Sequence, residues 1–306
     1  MTSPVRTDDE PAVHLPDRLP SAVVAAPDRA TLLATAEAEG WPLDLEGAQL
    51  DDTGWENVVL CTRDHWIIRF PRDAAVPFRE ELEILGRLRD RLPASIPVPV
   101  RIGRRVRAMV YRKLVGAAFD TKAYSQADPD RRDRLAASLA DFLVAVHAVA
   151  PQDSTPRVDH AEIHRLVAEG VSAVPAQHRA LISELADRYA KTWVTGAVPG
   201  PHVLLHNDFH TSNMVFREPV GELSGVWDFS CVATGAPTFD MRYFDRGPRD
   251  LLLRLADAYT SRTNRSIDVD AAILAHRVED VHDALTTGRM SVLQAAVESW
   301  ATVKDR

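Results

Sequence analysis

The sequence predicts an α+β fold in two lobes: a small β-sheet lobe that carries one helix, and after it a larger, mainly helical lobe. Two observations indicate this division. Short β-prone runs separated by turns fill most of residues 43–114, and one segment among them, residues 78–92, has the leucine spacing of a helix. Beyond residue 115 the apolar residues recur mainly at helical spacing. The change from one pattern to the other predicts a β-rich part followed by a helical part, and 306 residues leave room for one large two-lobed domain or for two ordinary ones.

Composition places the chain among ordinary globular proteins. It has 306 residues, of which 45% are hydrophobic, and that is enough for substantial cores. Cys61 and Cys231 are its two cysteines, so the sequence predicts neither a disulfide framework nor a cysteine metal site, and it favours a cytoplasmic protein. The apolar run at residues 22–26 is too short for a signal peptide, and no stretch is long enough to span a bilayer. We therefore expect no membrane partner.

Charge argues against nucleic acid as a partner, because the net charge is -8. Residues 41–114 carry 13 basic and 11 acidic side chains, a net of +2, whereas residues 115–306 carry 20 and 26, a net of -6. This distribution fits an anionic cofactor on the first lobe and a neutral or cationic acceptor on the second, although solvation of the surface explains it equally well. The arginines in residues 101–107 have no aromatic residues between them and are interpreted as the solvated end of a hairpin.

The first part of the chain reads as an arm, a helix and a series of strands. Five prolines among charged residues predict a mobile arm at residues 1–27. A helix is predicted over residues 28–39, from the N-cap Asp28 to the stop at Gly40. Strands are predicted at residues 58–62, 65–70, 100–103 and 108–114.

The most distinctive stretch is residues 206–213, His-Asn-Asp-Phe-His-Thr-Ser-Asn. It follows a Pro-Gly-Pro turn and lies between two apolar runs, residues 203–205 and 214–216. The pattern predicts a polar loop between two buried strands. That loop would hold the carboxylate of Asp208 and the carboxamide of Asn213 in fixed places.

A second apolar run, residues 224–227, leads to the carboxylate of Asp228. Carboxylate and amide oxygens are hard ligands of the kind that Mg2+ prefers. The set suits phosphoryl transfer: Asp208 would accept the proton of an attacking hydroxyl, while Asn213 and Asp228 would hold a magnesium ion that bridges the ATP phosphates. His206 is interpreted as a structural residue that braces the loop. Because a loop of these residue types is common, the order and setting of the pieces support this interpretation more than any single residue does.

These pieces resemble those of the aminoglycoside and macrolide phosphotransferase family, which has a kinase-like fold. Residues 208–213, Asp-Phe-His-Thr-Ser-Asn, are similar to that family's Asp-Leu-His-Pro-Gly-Asn, and residues 228–230 read Asp-Phe-Ser where protein kinases have Asp-Phe-Gly. Residues 235–240, Gly-Ala-Pro-Thr-Phe-Asp, resemble the family's Gly-Asp-Pro-Ala-Tyr-Asp, with Ala236 in place of an acidic residue. The resemblance implies that Asp240 ties its helix to the catalytic loop.

The resemblance also implies how the first lobe binds nucleotide phosphates. Arg69 stands where the fold has a lysine that links the α- and β-phosphates to a helix glutamate, and Glu81 is the best partner for it. Arginine keeps the charge but offers a planar fork instead of a point charge. Arg72 is a second candidate for the phosphate contact. A surface role is the alternative for Glu81, since single charges on a helix usually solvate it.

Two further nucleotide contacts follow from the resemblance. The turn at residues 52–57, which ends in Asn57, corresponds to the loop that covers the phosphates; it has a single glycine, and a plain hairpin turn is nearly as good an interpretation. Residues 112–116 resemble the hinge whose backbone groups bind adenine, which adds Arg112 and Leu114 to the candidate site.

The hinge places the lobe boundary after residue 114, giving a nucleotide-binding lobe at residues 28–114 and a catalytic, acceptor-binding lobe at residues 115–306. His147, at the end of an apolar helix face, is interpreted as a satisfied core residue. Three acidic residues near the end either line an acceptor pocket or solvate a helix face: Glu279, Asp280 and Asp283. Helices of this lobe are predicted at residues 131–149, 161–174, 180–193, 251–261, 273–284 and 291–303.

The sequence thus predicts an O-phosphotransferase that moves the γ-phosphate of ATP or GTP, with Mg2+, to a hydroxyl of a small molecule. The implied acceptor is an antibiotic of the aminoglycoside, macrolide, peptide or nucleoside type, which phosphorylation would inactivate. Two alternatives stay open: a metabolic kinase of a sugar, a choline-like amine or an amino alcohol, and a nucleotide-binding pseudokinase. Arg69 and the single glycine of the 52–57 turn leave the pseudokinase open, whereas the intact Asp208, Asn213 and Asp228 argue against it.

Overall fold

The computed structural model describes residues 15–16, 18–24, 27–196, 198 and 201–303. Most of the predicted mobile arm and most of the predicted Pro-Gly-Pro turn at residues 199–201 lie outside that part of the chain. The chain divides into two compact units. The first unit lies within Met1–Ala117, Met214–Arg217 and Ser224–Cys231, and the second within Ala118–Asn213, Glu218–Leu223 and Val232–Arg306.

The first unit is built on a five-stranded antiparallel sheet. Its strands are β1 (Gln49–Asp51), β2 (Asn57–Cys61), β3 (Trp66–Pro71), β4 (Arg101–Ile102) and β5 (Met109–Arg112). Their order is β1-β2-β3-β5-β4, which puts β3 at the centre. There Arg69 pairs with Val59 on one side and with Met109 on the other. Because β3 is buried along its whole length, the sheet holds this arginine inside the unit.

The same unit contains two helices, α1 (Arg29–Glu39) and α2 (Phe78–Leu88), within its described residues. The carboxylate of Asp28 caps α1, and Gly40, with a φ of 70°, ends it in the left-handed conformation. The helix α2 ends four residues before the predicted end at residue 92. Pro93 explains part of this difference, since the residue before a proline avoids helical backbone.

The second unit is mainly helical. Its helices are α3 (Thr121–Gln126), α4 (Pro129–His147), α5 (His160–Gly170), α6 (Arg179–Tyr189), α7 (Arg249–Thr263), α8 (Val269–Thr287) and α9 (Met290–Val303). Two short strands, β6 (Val203–Leu205) and β9 (Ala233–Gly235), pair antiparallel within it. Strands β7 (Met214–Phe216) and β8 (Leu223–Val226), which belong to the first unit except for Leu223, form another two-stranded sheet. A small antiparallel sheet together with this helical remainder confirms the predicted α+β class.

Within the described ranges, no helix is both long and apolar enough to cross a membrane.

An aromatic cluster lies in the core of the second unit, formed by His160 with Tyr189, Trp193 and Phe239. Nδ1 of His160 lies 2.8 Å from the Tyr189 hydroxyl. Burial, together with the positive charge of Arg242, lowers the pKa of His160 to about 4. The imidazole is therefore neutral in the folded protein at neutral pH.

This histidine makes the stability of the second unit depend on pH. Its pKa is lower in the folded protein, about 4, than its ordinary value of 6.5, so the unfolded chain binds the proton more readily between these values. We expect the free energy of unfolding to fall by roughly 2 kcal/mol as the pH drops from about 6.5 to about 4. Urea unfolding of the wild type and of His160→Gln at several pH values in this range measures the effect. If the free energy of unfolding had the same pH dependence in both proteins, His160 would not be its source.

Candidate active site

The loop of residues 206–213, called the catalytic loop below, connects β6 to β7. Both strands are short and largely buried, and they fix the two ends of the loop. Asn207 has a φ of 65°, which is uncommon for a residue other than glycine. Such a conformation persists only where surrounding contacts enforce it, and it is often found at functional sites.

Asp208 lies partly buried in this loop, with 24% of its side chain exposed. Its Oδ2 accepts a hydrogen bond of 2.6 Å from Nδ2 of Asn213 and lies 3.3 Å from Nε2 of His210. Burial raises the pKa of Asp208, but His210, together with His206 and Arg242, outweighs it and the net direction is downward. The carboxylate is therefore ionised at neutral pH and is able to accept a proton.

The orientation of Asn213 suits a metal ligand. Its Nδ2 group donates to both the backbone oxygen of Asp208, at 3.1 Å, and the carboxylate of Asp208. Because both amide hydrogens are used on Asp208, the amide oxygen Oδ1 is turned elsewhere. A neutral oxygen held in this way is the kind of ligand that Mg2+ takes. Across the described part of the chain, no group of three or more His, Cys, Asp or Glu side chains is arranged to hold a metal ion.

Asp240 braces the start of the catalytic loop. It is fully buried and accepts hydrogen bonds from the backbone N–H groups of His206, at 2.9 Å, and Asn207, at 2.6 Å. His147 places Nε2 at 3.0 Å from the same carboxylate and Nδ1 at 2.8 Å from the hydroxyl of Tyr259. Burial raises the pKa of Asp240, but His147 and the backbone donors lower it more, so the carboxylate is ionised.

Arg242 is a second brace, and the sequence did not predict it. It lies in the 3-10 segment Pro237–Arg246 and is buried, although it is charged. Its Nη2 donates to the backbone oxygen of Asn207 at 2.7 Å, and its Nε bonds Glu279 of α8. Asp240 thus holds the N–H of Asn207 while Arg242 holds its C=O. The unusual conformation of Asn207 is fixed from both sides.

The first unit gathers three of the predicted residues. Arg69 on β3 bonds Glu81 on α2, and both side chains are buried. Nη2 of Arg69 lies 3.7 Å from Oδ1 of Asp228. Burial disfavours the charge of Arg69, but Glu81 and Asp228 outweigh that effect and raise its pKa. The guanidinium is therefore permanently charged and is held by two carboxylates.

Asp228 lies just after β8 with a φ of 65°, and it accepts a hydrogen bond of 2.7 Å from the Ser230 hydroxyl. The exposed fraction of its side chain is 32%, so the carboxylate is accessible to a ligand. Nη2 of Arg69 and Oε2 of Glu81 are buried and have no hydrogen-bond partner among the described residues. A buried guanidinium nitrogen in this state fits an anionic oxygen, as a nucleotide phosphate would supply.

The other predicted nucleotide contacts lie elsewhere in the first unit, on its sheet or directly after it. Asn57 is the first residue of β2 rather than the last of the turn, and it pairs with Pro71. The guanidinium of Arg112 lies 3.7 Å from the ring centre of Trp66, and its Nη1 donates to the backbone oxygen of Asp64. The side chain of Arg112 is thus held on the sheet. Leu114 follows β5 and is half-buried.

The buried Arg69–Glu81 pair on a small antiparallel sheet and the Asp-x4-Asn loop of a mainly helical unit are features that the resemblance to a kinase-like phosphotransferase led us to expect. Residues 47–284 match the model of the phosphotransferase enzyme family (APH), and the chain belongs to that family. It is therefore an enzyme of the phosphotransferase class, as the sequence predicted. No protein of curated function matches the sequence closely enough to count as a relative.

Solved structures of the same fold include aminoglycoside and macrolide phosphotransferases. The GDP and kanamycin complex of APH(2")-IIIa is 19% identical, with a TM-score of 0.75 over 90% of this chain and 99% of that one. Macrolide 2'-phosphotransferase type I is 22% identical, with a TM-score of 0.63 over 90% and 97% of the two chains. The streptomycin-ATP-APH(2")-IIa ternary complex is 17% identical, with a TM-score of 0.63 over 86% and 95%. At these identities the likeness shows the fold.

Proposed function

We propose that this protein transfers the γ-phosphate of ATP or GTP to a hydroxyl group of a small-molecule antibiotic. The observation that carries the proposal is the ionised carboxylate of Asp208, held by the amide of Asn213 in a loop that Asp240 and Arg242 brace. Phosphoryl transfer needs little covalent chemistry from the protein, so a few well-placed charges and hydrogen bonds are sufficient.

Asp208 acts on the acceptor. Its carboxylate orients the acceptor hydroxyl and takes the proton as the oxygen attacks the γ-phosphorus. The new O–P bond forms while the bond to the bridging oxygen breaks, and ADP or GDP leaves with that electron pair. Since the net shift of the Asp208 pKa is downward, this carboxylate is a weak base, and it takes the proton as the new O–P bond forms and the hydroxyl becomes more acidic.

The donor is held by two sets of residues. Asn213 and Asp228 supply hard oxygens for Mg2+, which neutralises phosphate charge when bound. Arg69 contacts the phosphates through Nη2, while Glu81 keeps the guanidinium in place through Nη1. We propose that the backbone of residues 112–114 binds the base. In this arrangement the arginine fork replaces the single ammonium of a lysine.

The acceptor is proposed to be a cationic or polar antibiotic of the aminoglycoside or macrolide type. Kanamycin and streptomycin occupy complexes of proteins with the same fold. The net charge of -6 on residues 115–306 favours a cationic acceptor over an anionic one.

A panel of acceptors tests the proposal. Aminoglycosides, macrolides, peptide and nucleoside antibiotics, sugars and amino alcohols are incubated with the protein, Mg2+ and ATP or GTP, and mass spectrometry detects a phosphate adduct. We expect an adduct on one antibiotic class, which forms far more slowly with Asp208→Asn. An adduct on a sugar or amino alcohol alone would replace the antibiotic by a metabolic acceptor. Tight nucleotide binding without any transfer would favour a pseudokinase.

A further inference from the structure

The turn that connects β1 to β2, residues 52–56, has an unusual composition for a loop that covers nucleotide phosphates. It contains one glycine, Gly54, where protein kinases have several. Even that glycine is needed for packing, because a Cβ atom on it would lie 2.7 Å from the backbone oxygen of Asn57. The turn therefore needs another source of a defined backbone conformation.

Arg72, which directly follows β3, reaches back to this turn at three points. Its Nε donates to the backbone oxygen of Gly54 at 2.9 Å, and its Nη2 donates to that of Asp52 at 2.5 Å. Its own backbone N–H donates to the oxygen of Glu56 at 2.8 Å. Alternate carbonyl groups of the turn, at residues 52, 54 and 56, are thus all bound to one residue.

The carboxylate of Asp51 fixes the start of the same turn. It accepts hydrogen bonds from the backbone N–H of Thr53, at 3.0 Å, and from the Thr53 hydroxyl, at 2.6 Å. These bonds lower the pKa of Asp51. With Arg72 at one side and Asp51 at the other, the turn is held in one conformation before any ligand binds.

This bonding pattern has a chemical consequence for a polyphosphate. Carbonyl oxygens repel phosphate oxygens, whereas backbone N–H groups attract them. A planar guanidinium binds two acceptors in a fixed geometry, which a lysine ammonium or a neutral side chain does not reproduce. By engaging the carbonyls, Arg72 keeps them from turning toward the ligand and removes the ordering cost that a mobile turn would add to binding.

We propose that Arg72 is the positioning residue of the nucleotide-covering turn, and that it does for this turn what a glycine-rich sequence does in other kinase-like proteins. The inference rests on the proposed function, because it requires a nucleotide at this sheet. It also reassigns Arg72, which the sequence suggested as a direct phosphate contact: two of its side-chain nitrogens are bound to the turn.

Nucleotide affinity of the free enzyme tests this role, because it needs no acceptor. Calorimetric titration with MgATP and MgGTP is expected to show binding weakened about tenfold in Arg72→Met, the size expected for losing hydrogen bonds from a charged donor. Arg72→Lys should be weakened less. Arg107 offers a matched control, since its guanidinium also donates to backbone oxygens of the first unit, at Ala74 and Val76. Arg107→Met should bind within about twofold of the wild type.

Amide hydrogen exchange of the nucleotide-free protein separates positioning from direct contact. Faster exchange in residues 53–57 of Arg72→Met, compared with the wild type and Arg107→Met, is expected if Arg72 orders the turn. Unchanged exchange, or nucleotide affinity equal to that of the wild type, would overturn the inference. If the wild type itself binds neither MgATP nor MgGTP, the proposed function fails. That outcome is distinct from a wild type that binds nucleotide and a variant that behaves like it.

Discussion

Replacing Asp208 with asparagine is expected to lower the rate of phosphoryl transfer by about 10³-fold while nucleotide affinity changes little. The carboxylate is the group that takes the acceptor proton in the proposed reaction, and asparagine has the same shape but no basic oxygen. The variant keeps a side-chain oxygen for the bond from Nδ2 of Asn213, so the catalytic loop retains its conformation. We therefore expect the variant to slow the chemical step and to leave nucleotide binding unchanged.

Single-turnover transfer to the acceptor identified by the panel measures the chemical step, and calorimetry measures nucleotide binding. Asp141→Asn is the matched control, because that carboxylate pairs with Arg262 on the surface of the second unit. It should retain full activity. If Asp208→Asn lost nucleotide affinity and turnover to the same extent, Asp208 would be a structural residue and not the base.

Much of the candidate site could be predicted because its polar residues interrupt apolar runs. Asp208 and Asn213 lie between two strands whose apolar residues are visible in the sequence, and Asp228 ends a third. Arg69 alternates with apolar neighbours in a strand, which predicts a side chain pointing to one face. Glu81 sits on a leucine-spaced helix. In each case the spacing of the neighbouring apolar residues indicates the direction of the polar side chain.

The short elements could not be predicted in the same way. Strands β1 (Gln-Leu-Asp) and β9 (Ala-Thr-Gly) have three residues each and, unlike β6 and β7, no apolar run, while the six residues of α3 are too few for a helical period to be recognised. Residues 235–240 were identified by their resemblance, but the 3-10 conformation of Pro237–Arg246 has no distinct sequence period. Long elements were predicted well, and their ends differ by a few residues because capping and turn contacts decide them.

Arg242 illustrates a further limit of the sequence. Nothing in the neighbouring residues indicates that this arginine is buried, since its ion-pair partner Glu279 lies 37 residues further along the chain. Charged residues are almost never fully buried unless they are paired, so a single sequence favours exposure. Glu279 was considered for an acceptor pocket or a solvated face. The ion pair between Arg242 and Glu279 is recognised only in the structure, where α8 packs against the 3-10 segment.

That pair leads to the second large effect. Arg242→Met is expected to lower the free energy of unfolding of the second unit by roughly 3–5 kcal/mol, because it leaves the largely buried carboxylate of Glu279 without its cation. It also removes the donor to the Asn207 carbonyl. Denaturant unfolding measures the first effect. Arg262→Met removes an arginine from a surface pair and should cost less than about 1 kcal/mol.

The double variant Arg242→Met with Glu279→Gln separates stability from catalysis. Removing the unpaired charge should restore part of the lost stability, since the penalty for breaking a buried pair comes largely from the charge left behind. The carbonyl of Asn207 would still lack its donor, so the conformation before Asp208 stays relaxed and transfer stays slow. Thermal melts together with single-turnover rates measure both quantities. If activity returned in proportion to stability, Arg242 would serve folding alone, and the peptide preceding the base would not depend on it.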